Sequence, residues 1–137
     1  MTNVAIAGRV HVRGRWHVVE LAGELDCATV CEAETVLRRF PLRVGDAVVV
    51  DLLRVTFLDC AALHLLSRTR VRVLAQGGTF HVVCAGAWPR RILRLGGLLD
   101  VLRPVASTAE LGMDEPGTKG PGTRNKDETV PVAPDRE

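Results

Sequence analysis

Residues Ala47-Val48-Val49-Val50-Asp51-Leu52 make a short, continuously apolar run that ends at a polar break. A strand with one face in water alternates apolar and polar residues, so an unbroken run of this length is expected for a strand buried on both faces. Such a strand lies in the middle of a sheet and needs a neighbour on each side. It also needs a cover of other elements, and the flanking sequence supplies both.

Upstream, Val4 to Val12 and His17 to Ala22 are rich in valine and separated by Arg13-Gly14-Arg15, which reads as a β-hairpin. His11, His17 and, further on, His81 alternate with valines in these strand patterns and are expected to point outward. After Gly23-Glu24-Leu25, Asp26 is placed to cap a helix from about Cys27 to Phe40, with Val30, Ala33, Leu37 and Phe40 at helical spacing and Pro41 stopping it.

Downstream, Asp59 is placed to cap a second helix, Cys60 to Ala75, which Gln76-Gly77-Gly78 ends. Phe80 to Cys84 reads as the next strand, and Pro89 to Leu95, closed by Gly96-Gly97, as a third helix. Leu98 to Leu102 is a last helical turn that leads to Val105. The order implies an α/β fold: one mixed sheet with an N-terminal hairpin, covered by about four helices.

A chain of 137 residues suits a single hydrophobic core. Its apolar runs fall far short of the roughly 20 residues of a membrane span. No secretory leader is visible at Met1-Thr2-Asn3, so a cytoplasmic protein is expected. From Thr108 onward, Pro116, Gly117, Gly120, Pro121, Gly122, Pro131 and Pro134 are spread among charges, which predicts a disordered tail over 108–137 behind a domain at 1–107. The domain holds 14 basic and 9 acidic side chains and the tail 4 and 7, so the charges are +5 and −3. All basic residues of the domain are arginines, suited to acidic partner groups, but the excess is too small to argue for nucleic acid.

Two stretches carry a family resemblance. Leu21-Ala22-Gly23-Glu24-Leu25-Asp26 resembles the glycine, glutamate, leucine, aspartate signature of STAS domains, and Val48 to Asp59 resembles their central strand and the loop ending in an aspartate. Gln76 to Phe80 and Arg91 to Leu98 are similar to the family's later strand entry and third helix, so the resemblance covers roughly residues 4 to 106. It implies a non-enzymatic module of the anti-sigma factor antagonist type, whose partner is a kinase-like, ATP-binding anti-sigma factor. It also implies a docking surface over Thr56 to Asp59 and the first turn of the second helix, Cys60, Ala61, Ala62 and Leu63, with Asp26 beside it.

In family members switched by phosphorylation, the aspartate is followed by Ser-Ser-Gly-Leu, and the second serine takes the phosphate. Here the chain reads Cys60-Ala61-Ala62-Leu63, so Ala61 stands at the acceptor position without a hydroxyl. The only serines, Ser67 and Ser107, do not match that site, and the usual phospho-switch is expected to be missing.

Two further functional readings stay open: a scaffold subunit that assembles with itself or others, a homodimer being one form, and a thiol sensor through Cys60. A thiol at a helix N-terminus sits where the helix dipole favours thiolate, whereas a cysteine there also serves simply as a small residue in a tight spot. Asp26, Glu24 and Asp59 likewise have a purely structural role as caps and turn residues. Cys27 with Cys31, and Cys60 with His64, are spaced four apart, but that is not a known zinc-ligand pattern, and the first pair also fits a buried helix face. Arg68, Arg70, Arg72, Arg90, Arg91 and Arg94 read as solvated helix faces. No nucleophile is paired with a base and no phosphate-cradling glycine loop is present, so neither an enzyme, a bound cofactor nor a metal site is expected.

Overall fold

In the computed structural model, residues 6–39 and 43–112 are described. They form, in order, strands β1 (Ile6–Arg13) and β2 (Trp16–Leu25), helix α1 (Val30–Leu37), strand β3 (Ala47–Leu58), helix α2 (Cys60–Ala75), strand β4 (Thr79–Val83), and helices α3 (Ala87–Leu95) and α4 (Leu99–Leu102). The sheet runs β1-β2-β3-β4: β1 and β2 form the antiparallel hairpin, and β2–β3 and β3–β4 are parallel. This is the mixed, helix-covered sheet that the sequence pattern implies.

The apolar run sits where its composition requires. Val48, Val49 and Val50 have no exposed surface, with β2 on one side and β4 on the other. Burying side chains of this size stabilises by about 1.5–3 kcal/mol each. Successive valines serve opposite faces. Val48 and Val50 join the main core with Leu21, Leu37, Leu52, Leu66 and Leu93, while Val49 packs with Val18 and Val83 in a smaller cluster on the other face, covered by Trp16, Val105 and Leu111.

Both parallel strands run further than the apolar pattern suggested. β3 continues through Thr56, Phe57 and Leu58, which the sequence reading placed in a loop, because β2 accompanies it as far as the Leu25–Leu58 pair. Two register shifts, between Glu20 and Ala22 and between Gly23 and Glu24, accompany this extension. Both strands therefore end together, directly before Asp26 and Asp59.

Helix α1 begins at Val30, later than the expected Cys27. Asp26 does cap, but it caps a turn: its Oδ1 accepts from the N–H groups of Ala28 at 2.9 Å and Thr29 at 3.2 Å. The buried Thr29 donates its hydroxyl to Glu24 O at 2.7 Å and accepts from Asp26 N–H at 3.0 Å. These side-chain bonds compete with the helical ladder and delay its start. Phe40 and Pro41, the expected end of α1, lie outside the described residues. Cys27 and Cys31 are both exposed, so the buried helix face offered for them is not where they lie.

His17 also departs from expectation. It is buried, and its Nε2 lies 2.7 Å from Asp46 Oδ2 at the entry to β3. Asp46 in turn accepts from Arg43 N–H at 2.9 Å, and its Oδ1 lies 3.5 Å from Arg15 Nε. Because β2 carries valines on both buried faces, alternation with valine does not mark an outer face for a histidine. His11 and His81 remain partly exposed on the second face, the former 3.3 Å from Glu20 and the latter against the Trp16 ring.

Beyond α4, Val105 makes a parallel bridge to Val83, closed by Cys84 N–H to Val105 O at 2.9 Å and Val105 N–H to Val82 O at 3.0 Å. Thr108–Leu111 adds a short 3-10 turn that brings Leu111 onto the smaller cluster. Of the expected tail, residues 113–137 lie outside the described residues.

Candidate functional site

Adjacent parallel strands deliver their following loops to the same end of a sheet, which is where open α/β sheets place binding sites. Here β2 delivers the Asp26–Thr29 turn and β3 delivers Asp59 and α2. Asp59 joins the two. It is the N-cap of α2 in extended geometry, φ −135° and ψ −167°, and its Oδ1 accepts from Ala61 N–H at 2.9 Å and Ala62 N–H at 3.3 Å. Its Oδ2 reaches across to the N–H of Cys27 at 3.1 Å. One carboxylate thus fixes both the start of the helix and the position of the neighbouring turn.

The residues expected at this site divide by exposure. Thr56 and Cys60 are exposed, Asp26, Asp59 and Ala61 half-buried. Ala62 and Leu63 instead point into the core among Leu58, Leu66 and Leu93, so they shape the site from beneath. Thr56 already uses its hydroxyl, which donates to Gly23 O at 3.3 Å and ties β3 to β2.

Sequence reading missed Cys27, Leu95 and Gly96 as neighbours of this site, and held Phe57 only as part of the stretch Thr56 to Asp59. Cys27 is brought in by the Asp59 bond, a contact across 32 positions that no local spacing announces. Phe57, next to Thr56 on β3, stays 37% exposed although it is aromatic. Gly96, at the end of α3, lies so close to the first turn of α2 that a Cβ there would overlap Leu63, and the preceding Leu95 is 70% exposed. An apolar residue out of phase with the buried positions Pro89 and Leu93 was the available signal for Leu95.

The arginines of α2 are less free than a solvated face implies. Arg68 lies 3.3 Å from Glu34, which also pairs with Arg38, and Arg72 donates to Leu37 O at 3.0 Å, so these bonds link α2 to α1. Among the described residues, no three His, Cys, Asp or Glu side chains are grouped to hold a metal ion. Nor is any described helix long and apolar enough to cross a membrane.

The family model of the STAS domain matches residues 8–111, most of the chain and all of the elements around this site. The chain belongs to the STAS family. No curated protein matches the sequence. Among solved structures, this STAS domain is similar to an anti-sigma factor antagonist from Mycobacterium paratuberculosis, with 28% identity and a TM-score of 0.68 over 77% of this chain and 89% of that one. The anti-sigma factor antagonist SpoIIAA in its unphosphorylated form shares the fold at 17% identity and a TM-score of 0.60, covering 77% and 93%. The murine anion transporter Solute Carrier 26 family member A9 contains a similar domain, at 14% identity and a TM-score of 0.64, covering 81% of this chain and 22% of the transporter.

Proposed function

We propose that this STAS domain is an anti-sigma factor antagonist: it binds a kinase-like, ATP-binding anti-sigma factor and so releases a sigma factor for transcription. The observation that carries the reading is the Asp59 carboxylate, which welds two loops into one surface bearing Asp26, Thr56, Cys60 and Ala61. The likeness to an antagonist at 28% identity supports it. The work is recognition of a protein in the cytoplasm, without catalysis, nucleic acid or membrane.

Ala61 sets this antagonist apart from a phospho-switched one. A phosphate at that position would add roughly −1.5 to −2 charges to the contact surface and repel a partner there, and alanine offers no oxygen to carry it. Binding is then constitutive, or set by the abundance of the protein or by some other chemistry at the same surface.

The test uses a kinase-like anti-sigma factor recovered by affinity capture and then purified with its sigma factor. Adding this protein should displace the sigma factor in size-exclusion chromatography, and incubation with ATP should leave Thr56 and Ser67 without phosphate in peptide mapping. An intact anti-sigma–sigma complex at saturating antagonist would refute the reading. Stoichiometric phosphate on either residue would restore a switch.

A further inference from the structure

Two thiols stand beside Asp59. Cys60 follows it directly, and Cys27 donates its backbone N–H to Asp59 Oδ2 at 3.1 Å. The other oxygen of that carboxylate accepts at 2.9 Å from Ala61, the residue bonded to Cys60. A single carboxylate therefore spans the two backbones that carry the thiols. Both cysteines are exposed, and the Cys27 side of the pair is an exposed turn whose next residue, Ala28, is exposed as well. A disulfide asks for Cα atoms roughly 4.4–6.8 Å apart; here the N of Cys27 and the N that follows Cys60 lie 3.1 Å and 2.9 Å from the two oxygens of one carboxylate.

We propose that Cys27 and Cys60 form a reversible intramolecular disulfide under peroxide, and that this bond closes the docking surface. That they pair stands on the geometry alone, whereas the effect on a partner rests on the function proposed above. In the first step the Cys60 thiolate attacks one peroxide oxygen, which breaks the O–O bond, releases hydroxide and leaves a sulfenic acid on Cys60. The Cys27 thiolate then attacks the Cys60 sulfur and expels a second hydroxide. Overall, two thiols and one hydrogen peroxide give one disulfide and two waters: the sulfurs lose two electrons and the peroxide gains them. The bond draws the Cys60 side chain across the start of α2, beside Ala61, and fastens the Asp26–Ala28 turn over Asp59. It would thus act at the point where a phosphorylated antagonist carries its phosphate. A thiol reductant reverses it by exchange.

The remaining cysteines make the assignment testable. Cys84 is buried, burial pushes its thiol up despite the opposing Arg90 charge and Gly86 N–H, and a buried thiol of this kind stays inert. Cys31, exposed on α1, is the competing partner.

Reduced full-length protein is treated with hydrogen peroxide, its free thiols are blocked, and peptides are mapped by mass spectrometry without reduction. The expected product joins the Cys27 and Cys60 peptides with the loss of two hydrogens, and it should persist in Cys31→Ser. Cys27→Ser should stop at a sulfenic acid on Cys60, trappable with a dimedone reagent, and circular dichroism should show each variant folded. Pairing of Cys31 with either residue, only intermolecular bridges, or oxidation of Cys60 beyond sulfenic acid in the unsubstituted chain would overturn the pairing. In calorimetric titration against the anti-sigma factor, oxidised protein should bind at least about tenfold more weakly, with recovery on reduction. A disulfide that leaves affinity unchanged would overturn the switch. A disulfide in a protein that binds no anti-sigma factor even when reduced would uphold the pairing and sink the antagonist function instead.

Discussion

Removing the Asp59 carboxylate should unlock both halves of the site at once. Asp59→Ala deletes the oxygen that caps Ala61 and Ala62, a loss of about 1 kcal/mol for an N-cap. It also deletes the acceptor for Cys27 N–H. Cys27 is exposed, so water replaces that partner in part, and the second loss is about 0.5–1 kcal/mol rather than the full cost of a buried orphan. The sum is about 2 kcal/mol, which for a domain of this size lowers the melting temperature by about 10 °C. Asp59→Asn gives a finer test. Its single oxygen can serve the helix, but its amide then faces the Cys27 N–H donor to donor, so it should lose about half as much. Urea unfolding of the three proteins measures this, with an unchanged slope showing that only stability moved. If Asp59→Ala fell within about 0.5 kcal/mol of the original, or if the asparagine variant were as weak as the alanine one, the carboxylate would not be joining the two loops.

Ala61→Asp should keep the fold, since a carboxylate in the first turn of α2 is favourable there, yet weaken anti-sigma binding about thirtyfold, some 2 kcal/mol; equal affinity in calorimetric titration would place the docking surface elsewhere. Asp51 is held above the ordinary carboxylate value of 3.8, first by burial and also by Glu20, against the opposing Leu53 N–H and the charges of Arg54 and His11. A raised carboxylate destabilises the fold above its unfolded value, so Asp51→Asn should be the more stable protein at neutral pH, and melting curves should converge below about pH 4, where the native side chain is protonated in both states. A Cβ on Gly78 would overlap the Asp46 carbonyl, which the Thr79 N–H holds at 3.2 Å, so Gly78→Ala should cost about 3 kcal/mol. Gly97→Ala, at φ +78° with open space around it, should cost only about 1–2 kcal/mol on the same unfolding assay.

The fold could be read because its strongest signals are local. The run from Ala47 to Leu52 announces a central strand, and Asp59 and Gly77 mark the ends of α2 with cap chemistry that depends on immediate neighbours. What escaped depends on residues far apart in the chain. The burial of His17 needs Asp46, and the delayed start of α1 comes from the Thr29 hydroxyl, which satisfies Glu24 O in place of extending the helix. At the site, Asp59 was legible as a cap, but its second oxygen and Cys27 were not, because that contact exists only once β2 and β3 lie parallel. Ala62 and Leu63 were grouped with their neighbours by motif, whereas helical periodicity turns them inward against Leu66 and Leu93.

The hairpin has a bearing on self-association. At one border of the sheet, β4 is shielded by the Val83–Val105 bridge, while β1 is the border strand at the other side. Arg9, His11 and Arg13 share one face of β1. If two copies joined border to border through a two-fold axis perpendicular to the sheet, odd positions would meet odd positions, and a register centred on His11 would set Arg9 of each copy against Arg13 of the other. Like charges directly opposite one another disfavour such pairing. A continuous eight-stranded sheet in that register is therefore disfavoured, and most strongly at low ionic strength, where the Arg9–Arg13 repulsion is least screened.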